Sequence, residues 1–174
     1  MNLSAVSNTK SYPISRQLMR DQLADRLEQI DWGVIGTLTF RDDVNEKTAR
    51  SILRSFWHRI DCKFFKNAVN RHNRRVVRIN FVEGGEFKRY HVHFLAKPPG
   101  NMSPEKYALF LQEWWKKAPH AGFQNEFIEK GHPRFNSRGW VLYSSKTFSA
   151  CGTDAWDTAS SHLVEPERGV GERS

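Results

Sequence analysis

Two runs of strand-forming residues on either side of a Gly-Gly pair constrain the fold of this chain most. Residues 76–83 and 87–96 are rich in β-branched and aromatic side chains, and Gly84 and Gly85 lie between them. Glycine readily adopts the positive φ values that tight hairpin turns need. The pattern therefore predicts an antiparallel β-hairpin.

Helical and extended patterns flank this hairpin. Further strands are predicted at residues 33–40 and 123–128, and residues 139–148 are regular but of uncertain type. Apolar residues recur at helical spacing in three segments, at residues 14–30, from residue 45 to just before residue 70, and at residues 103–118. We therefore expect an α+β fold with a central antiparallel β-sheet flanked by helices.

The chain has 174 residues, a length that suits one domain of roughly 150 residues. We expect a flexible polar arm at residues 1–13, the domain at residues 14–148, and a polar, flexible tail at residues 149–174. No apolar stretch approaches the roughly 18 residues of a membrane span. The polar N-terminal residues also lack the apolar core of a signal peptide, so neither membrane insertion nor secretion is predicted.

The charge balance indicates an anionic partner. Lys and Arg number 27 against 19 Asp and Glu, a formal charge of +8, and aromatic residues make up 13% of the chain. Positive charge attracts phosphates and aromatic rings stack on exposed bases, so this balance is typical of nucleic-acid binding. Anionic membranes and acidic proteins remain alternatives.

His91 and His93 are the first candidates for chemistry. Side chains two apart on a strand share one face, so both imidazoles can converge on a divalent metal while Val92 points to the other face. Glu83, at the end of the partner strand, is the better candidate for a carboxylate ligand, and Glu86 is the alternative. Two nitrogens and one oxygen suit Mg or Mn and do not exclude Zn. The competing interpretation is a pair of exposed strand histidines.

Tyr143 and Lys146 are the second candidates, because residues three apart share a helical face. A phenol is a poor nucleophile near neutral pH, with a pKa of about 10. A neighbouring ammonium favours its phenolate or offsets charge on a phosphate under attack. The alternative for Tyr143 is a half-buried core tyrosine.

Three segments in chain order resemble the motifs of HUH endonucleases. They are Gly-Thr-Leu-Thr-Phe at residues 36–40, His-Val-His at residues 91–93 and Tyr-Ser-Ser-Lys at residues 143–146. The resemblance is closest to replication-initiator (Rep) proteins of rolling-circle plasmids and small single-stranded DNA viruses. It covers about residues 32–148.

This resemblance implies a ferredoxin-like or RRM-like HUH nuclease fold, with a metal site on the open face of the sheet. It implies that His91, His93 and Glu83 bind Mg or Mn. Tyr143 would attack single-stranded DNA, giving a 5′-phosphotyrosine link and a free 3′-hydroxyl that primes synthesis, and a later 3′-hydroxyl would rejoin the strand. Lys146 would assist the tyrosine.

The partners implied are single-stranded DNA at a replication origin, such as a stem-loop, and a host helicase and polymerase, with no membrane partner. No phosphate-binding loop of a helicase is present in the sequence. The expected compartment is the cytoplasm for a bacterial plasmid or phage protein and the host nucleus for a eukaryotic viral one. Basic residues flanking the hairpin are expected to contact DNA phosphates: Arg71, Arg74, Arg75, Arg78, Lys88 and Arg89.

Other functions fit parts of the sequence. A relaxase or a single-tyrosine transposase would use the same chemistry. A non-catalytic single-strand-binding module would carry stacking rings on its sheet, and a small zinc enzyme would leave Tyr143 and Lys146 without a role. Tyr107 follows the apolar periodicity of its helix and is predicted to be core, so Tyr143 is the expected nucleophile.

Overall fold

The computed structural model describes residues 15–85, 88–148 and 155–164. The fold is α+β, as predicted, with a four-stranded antiparallel sheet flanked by helices. The elements are α1 (Arg16–Glu28), β1 (Val34–Thr39), α2 (Glu46–Phe65), α3 (Ala68–His72), β2 (Arg78–Gly85), β3 (Lys88–Ala96), α4 (Pro104–Lys116), β4 (Glu126–Glu129) and α5 (Ser137–Ser144).

The sheet has the strand order β2-β3-β1-β4. With α2 between β1 and β2 and α4 between β3 and β4, this is the ferredoxin-like arrangement of two split β-α-β units. The predicted hairpin is β2 and β3, but Gly84 and Gly85 belong to β2, where Gly85 pairs with Lys88, rather than to the turn. The register of the hairpin places Glu83 opposite His91. On the other side of β3, Thr37 of β1 is opposite His93.

Polar N-caps fix where the helices begin. The side chains of Ser15, Asn45, Ser103 and Asn136 each accept a hydrogen bond from a backbone N–H of the first turn. The Asn136 cap starts α5, and the segment of uncertain type at residues 139–148 is therefore helical up to Ser144. None of the helices described is both long and apolar enough to cross a membrane.

One face of the sheet packs on α2 and α4. Trp57, Phe56 and Trp115 are fully buried there and meet edge to face, which adds to the burial of apolar area. No residue larger than glycine fits at position 36 of β1. A Cβ at this position would lie 2.2 Å from the Glu126 carbonyl oxygen and 2.8 Å from the Phe94 ring.

The other face packs on α1 and α5, so the open face that the resemblance implied is largely covered. Leu27 of α1 and Val141 of α5 form a second buried cluster with Ile35, Ile79 and Leu95 of the sheet. The histidine pair lies on this face, beyond the apolar cluster, where β2 and β3 approach their turn. Hydrophobic burial leaves only this margin of the face for polar side chains.

Residues 155–164 lie along the outer edge of β2, which corrects the prediction of a flexible tail for this part of it. Trp156 bridges to Phe81 and His162 to Arg78, and the Asp157 N–H donates to the Asn80 carbonyl at 3.0 Å. The reason is that β2 is an edge strand, whose unpaired backbone groups are satisfied by this pairing. Residues 149–154 and 165–174 of the predicted tail, and residues 1–13 of the predicted arm, lie outside the described residues.

A buried ion pair joins α2 to the beginning of β2. Arg78 donates from Nη1 and Nη2 to the two carboxylate oxygens of Asp61, at 2.7 and 2.9 Å. The Val76 N–H donates to Asp61 Oδ1 at 2.9 Å, and both charged side chains are almost fully buried. Arg78, expected on an exposed DNA-binding surface, is therefore buried, with its guanidinium bonded to Asp61.

We expect Asp61→Ala to lower the free energy of unfolding by about 3–5 kcal/mol, because it leaves the Arg78 charge buried without its partner. Urea unfolding followed by circular dichroism measures this loss. Asp43→Ala is the control, since the Asp43–Arg89 pair is exposed and should contribute less than about 1 kcal/mol. Equal effects of the two substitutions would contradict the structural role of the buried pair.

Candidate metal centre and neighbouring tyrosine

Glu83, His91 and His93 form a compact group, here called the metal triad. Glu83 Oε2 lies 3.4 Å from Nε2 of His91 and 3.4 Å from Nε2 of His93. One candidate ligand atom from each residue lies within 4.8 Å of the others. Strand pairing produces this geometry, because Glu83 is opposite His91 in the register and His93 is two residues further along the same face.

The outer nitrogen of each imidazole is held by β-sheet groups. His91 Nδ1 lies 3.1 Å from the Arg89 carbonyl oxygen, which only accepts, so Nδ1 carries the proton and Nε2 offers a lone pair to the triad. His93 Nδ1 is 3.0 Å from the Thr37 hydroxyl. Hydrogen bonds of this kind orient histidine ligands in metal sites.

The donor set of the triad fits a divalent metal. His93 Nε2 is buried and has no hydrogen-bond partner in the part of the chain described, which is an unfavourable state for a polar atom unless a ligand completes it. Burial, followed by the nearby His91, lowers the pKa of His93 to about 4, so the imidazole is neutral and available as a ligand near pH 7. This group could therefore bind a metal ion.

Two lysines neutralise the charge of Glu83. Lys88 Nζ lies 2.6 Å from Oε1 and Lys146 Nζ lies 2.9 Å from Oε2. Burial opposes ionisation of this carboxyl, but the hydrogen bonds and charges of Lys88 and Lys146 outweigh it and lower the pKa of Glu83 to about 2. The carboxyl is therefore ionised near neutral pH, and its oxygens can serve as metal ligands. Lys88, predicted to contact DNA, is engaged by Glu83 in this structure.

Tyr143 and Lys146 lie beside the triad, at the C-terminal end of α5. The Tyr143 ring centroid is 5.1 Å from that of His93, and its side chain is half exposed. Lys146 Nζ lies 3.7 Å from the centre of the Tyr143 ring while it also pairs with Glu83. Arg20 of α1 anchors this end of α5, since its guanidinium donates to the Leu142 carbonyl. The structure therefore brings together the five residues predicted as ligands, nucleophile and assisting lysine.

Tyr107 is a core residue, as predicted. Its side chain is fully buried between the sheet and the helices, and burial raises its pKa far above the usual value for tyrosine. A phenol in that position meets neither solvent nor substrate. Among the tyrosines of the described segments, Tyr143 is the one in contact with the triad histidines.

The other predicted DNA contacts are distributed over two regions. Arg71, on α3, is exposed, and the Arg74 guanidinium lies 5.3 Å from the Phe65 ring centre. Arg75 pairs with Asp61 at 3.2 Å, near the beginning of β2. Arg89 pairs with Asp43 at 2.8 Å, with both side chains exposed, beside the triad. Glu86, the alternative ligand to Glu83, lies outside the described residues.

A groove that the sequence did not indicate runs beside His91. It has a volume of about 460 Å³, and its walls include Arg41, Tyr90 and Phe123; here it is called the aromatic groove. Phe123 is 86% exposed, an unusual position for an apolar ring. Segments distant in sequence form this groove, so only tertiary structure shows it. In the sequence, Phe123 is the one residue that could have pointed to this groove, and it lies in a segment predicted to be a strand.

The combined arrangement can bind a divalent cation, hold a phenol next to it and supply an ammonium to both. Such a set of groups suits attack of an oxygen nucleophile on a phosphate or an acyl group. No protein-family model, curated protein or solved structure matches this chain.

We expect Mn²⁺ to bind at one site, with His93→Ala lowering the affinity by more than about 100-fold. Thr37→Val should lower it by about 10–100-fold, because loss of an outer hydrogen bond has effects of this size. Isothermal titration calorimetry measures both. His120→Ala is the matched control, since His120 pairs with Asp42 on an exposed loop. Unchanged Mn²⁺ affinity in His93→Ala would exclude the triad as the site.

Stability of the metal-free protein should fall in mild acid. The pKa of His93 is 6.5 ordinarily and about 4 in the fold, so between these values the unfolded chain binds a proton that the native protein does not. The free energy of unfolding therefore has its full value above pH 6.5 and decreases as the pH falls toward 4. The loss is up to about 3 kcal/mol, at about 1.4 kcal/mol for each unit of the pKa difference. Urea unfolding in EDTA, for the wild type and His93→Gln, measures this. The same pH slope in both would contradict the assignment.

Proposed function

We propose that this protein is a metal-dependent endonuclease that cuts and rejoins single-stranded DNA through a phosphotyrosine intermediate, as an initiator of rolling-circle replication. The observation that carries the proposal is the contact between Tyr143 and His93 of the metal triad, with Lys146 touching both Tyr143 and Glu83. A tyrosine with only a structural role would not need metal-ligand atoms beside it. Nor would it need a lysine that contacts both its ring and the Glu83 carboxylate.

The proposed reaction is a transesterification. The Tyr143 hydroxyl oxygen attacks the scissile phosphorus, the phenol loses its proton, and the bond from phosphorus to the 3′-oxygen breaks. The 3′-oxygen leaves as a hydroxyl after taking up a proton, and the 5′-phosphate stays bound to Tyr143. Attack by another 3′-hydroxyl reverses these steps and releases the tyrosine, so strand joining needs no additional energy source.

Lys146 has two parts in this reaction. Its ammonium, 3.7 Å from the centre of the Tyr143 ring, offsets the negative charge that develops on the phosphate. Its ion pair with Glu83 fixes where that ammonium lies. A divalent Mg or Mn ion held by the triad would polarise the phosphate oxygens as a Lewis acid.

The aromatic groove supports single-stranded nucleic acid as the substrate. Phe123 and Tyr90 offer rings for base stacking, and Arg41 and Arg89 offer charge for phosphates. His91 lies in the wall of the groove, so a strand that occupies it passes beside one residue of the triad. We propose an origin strand, such as the loop of a stem-loop, as that substrate, with a host helicase and polymerase acting on the duplex. The cytoplasm of a bacterium or the nucleus of a eukaryotic host would be the site of this reaction.

The same groove favours a second candidate, a single-strand-binding module without catalysis. That function needs Phe123 and the basic residues but gives no role to Tyr143 or Lys146. A relaxase or transposase would share the chemistry of the leading proposal and differ in the DNA sequence it recognises. Formation of a covalent intermediate separates the enzymes from the binding module.

We expect a covalent protein–DNA adduct when the protein is incubated with Mn²⁺ and a pool of single-stranded stem-loop oligonucleotides. A 3′-labelled strand should migrate with the protein on a denaturing gel, because the 5′-phosphate of the 3′ fragment stays on the tyrosine. EDTA, His91→Ala and Tyr143→Phe should each abolish the adduct. Lys146→Met should slow its formation by about 100-fold or more, as removal of a transition-state charge contact does.

Tyr90→Phe is the matched control for the loss of a phenol. Tyr90 lies in the aromatic groove, and the substitution keeps its ring for stacking, so the adduct should persist. An adduct that survives Tyr143→Phe would contradict the assigned nucleophile. Tight DNA binding without an adduct from any oligonucleotide would favour the binding module.

A further inference from the structure

A second polar cavity opens at the opposite end of β2 from the metal triad. Its volume is about 360 Å³, and three arginines, Arg54, Arg75 and Arg78, contribute to its wall; here it is called the arginine cavity. Arg54 belongs to α2, Arg75 precedes β2, and residues 159–162 close the remaining side. The cavity therefore exists only because residues 155–164 pair with the edge of the sheet.

Positive charge exceeds negative charge in this cavity. Asp61 is the carboxylate bonded to its arginines, and both its oxygens already accept from Arg75, Arg78 and the Val76 N–H. Arg54 forms no ion pair with any described residue, and its side chain is exposed. Three guanidinium groups thus line the cavity, and the carboxylate that pairs with two of them, Asp61, has both oxygens occupied.

Arg78 keeps one N–H group without a partner among the described residues. Arg78 spends four N–H groups on Asp61, Val76 and Ser160, out of the five that a guanidinium carries. His162 also lines the cavity, and burial followed by the charge of Arg78 lowers its pKa. The lining therefore offers donors and positive potential without a free carboxylate to balance them.

A phosphate group is the ligand that this lining fits. Guanidinium forks match the spacing of two phosphate oxygens, and charge-assisted hydrogen bonds to phosphate are stronger than those between neutral groups. The volume is at the lower end of small-ligand sites, enough for a phosphate with an attached sugar. A carboxylic acid would use fewer of the donors, and a cation would be repelled.

The arginine cavity is separate from the metal triad. Arg78 and Glu83 are five residues apart on β2, roughly 17 Å at about 3.3 Å per residue. Their side chains also lie on opposite faces of the sheet, because side chains alternate between faces along a strand and the two positions differ by five. A ligand in the cavity cannot touch the triad at the same time unless it is a chain several nucleotides long.

We propose that the arginine cavity is a phosphate-binding site, which takes the phosphate of a free nucleotide or of a nucleic-acid backbone. This inference does not depend on the proposed nuclease activity, because none of its residues belongs to the triad or contacts Tyr143. Arg54 is the residue that recognises the ligand most directly, since it carries the exposed charge. Arg78 and Asp61 form the fixed base on which the site is built.

The test is a titration followed by amide chemical shifts, with EDTA present so that no metal contributes. The probes are inorganic phosphate, thymidine monophosphate and a ten-nucleotide single strand. We expect shifts at Asn73, Ser161 and His162, and at least fivefold weaker binding in Arg54→Gln. Arg26→Gln, an exposed arginine of α1, is the matched control and should bind as the wild type does.

The three probes distinguish the sources of the phosphate. Binding of inorganic phosphate and the mononucleotide supports a free-nucleotide site, and binding of the oligonucleotide alone supports a backbone site. The titration with inorganic phosphate involves neither metal nor DNA, so failure of the proposed nuclease activity would not affect this result. Shifts absent from the cavity with all three probes, or an affinity that Arg54→Gln does not change, would overturn the proposal.

Discussion

The buried carboxylate of Glu83 is the group on which the rest of the site depends. An ionised carboxyl in this position requires compensation, and the structure supplies it from Lys88 at 2.6 Å and Lys146 at 2.9 Å. These ion pairs link the hairpin to the end of α5. The same carboxylate brings His91 and His93 within 3.4 Å. This carboxylate thus connects the ligands and the ammonium, which strand pairing and the end of α5 place around it.

The ferredoxin-like sheet provides the rigid frame for this charge. Its central strands β1 and β3 supply Thr37 and the two histidines, and the antiparallel register places Thr37 opposite His93. Helices α2 and α4 pack on one face, and α1 with α5 covers most of the other. Because apolar packing ends just before the triad, polar side chains meet there in a partly enclosed space. The functional groups lie at the margin of a core that would otherwise exclude them.

Local patterns sufficed for those parts of the site that depend on strand or helix spacing. The Gly84-Gly85 pair implied the hairpin, the period of two placed both histidines on one face, and the three-residue interval placed Lys146 next to Tyr143. Local patterns do not predict contacts between segments that are distant in sequence. The pairing of Asp61 with Arg78, the covering of the histidine face by α1, and the docking of residues 155–164 on β2 each join distant segments. Charge alone therefore assigned Arg78 to a surface, whereas packing buries it.

The central physical claim is that Glu83, His91 and His93 surround one divalent ion. Pulsed electron paramagnetic resonance on the Mn²⁺-loaded protein tests it most directly, because nitrogen nuclei bound to the ion modulate the electron spin echo. We expect couplings from two imidazole nitrogens in the wild type, one in His91→Ala, and no bound Mn²⁺ in the double variant His91→Ala/His93→Ala. Bound Mn²⁺ without nitrogen coupling would place the metal elsewhere and contradict the assigned ligands.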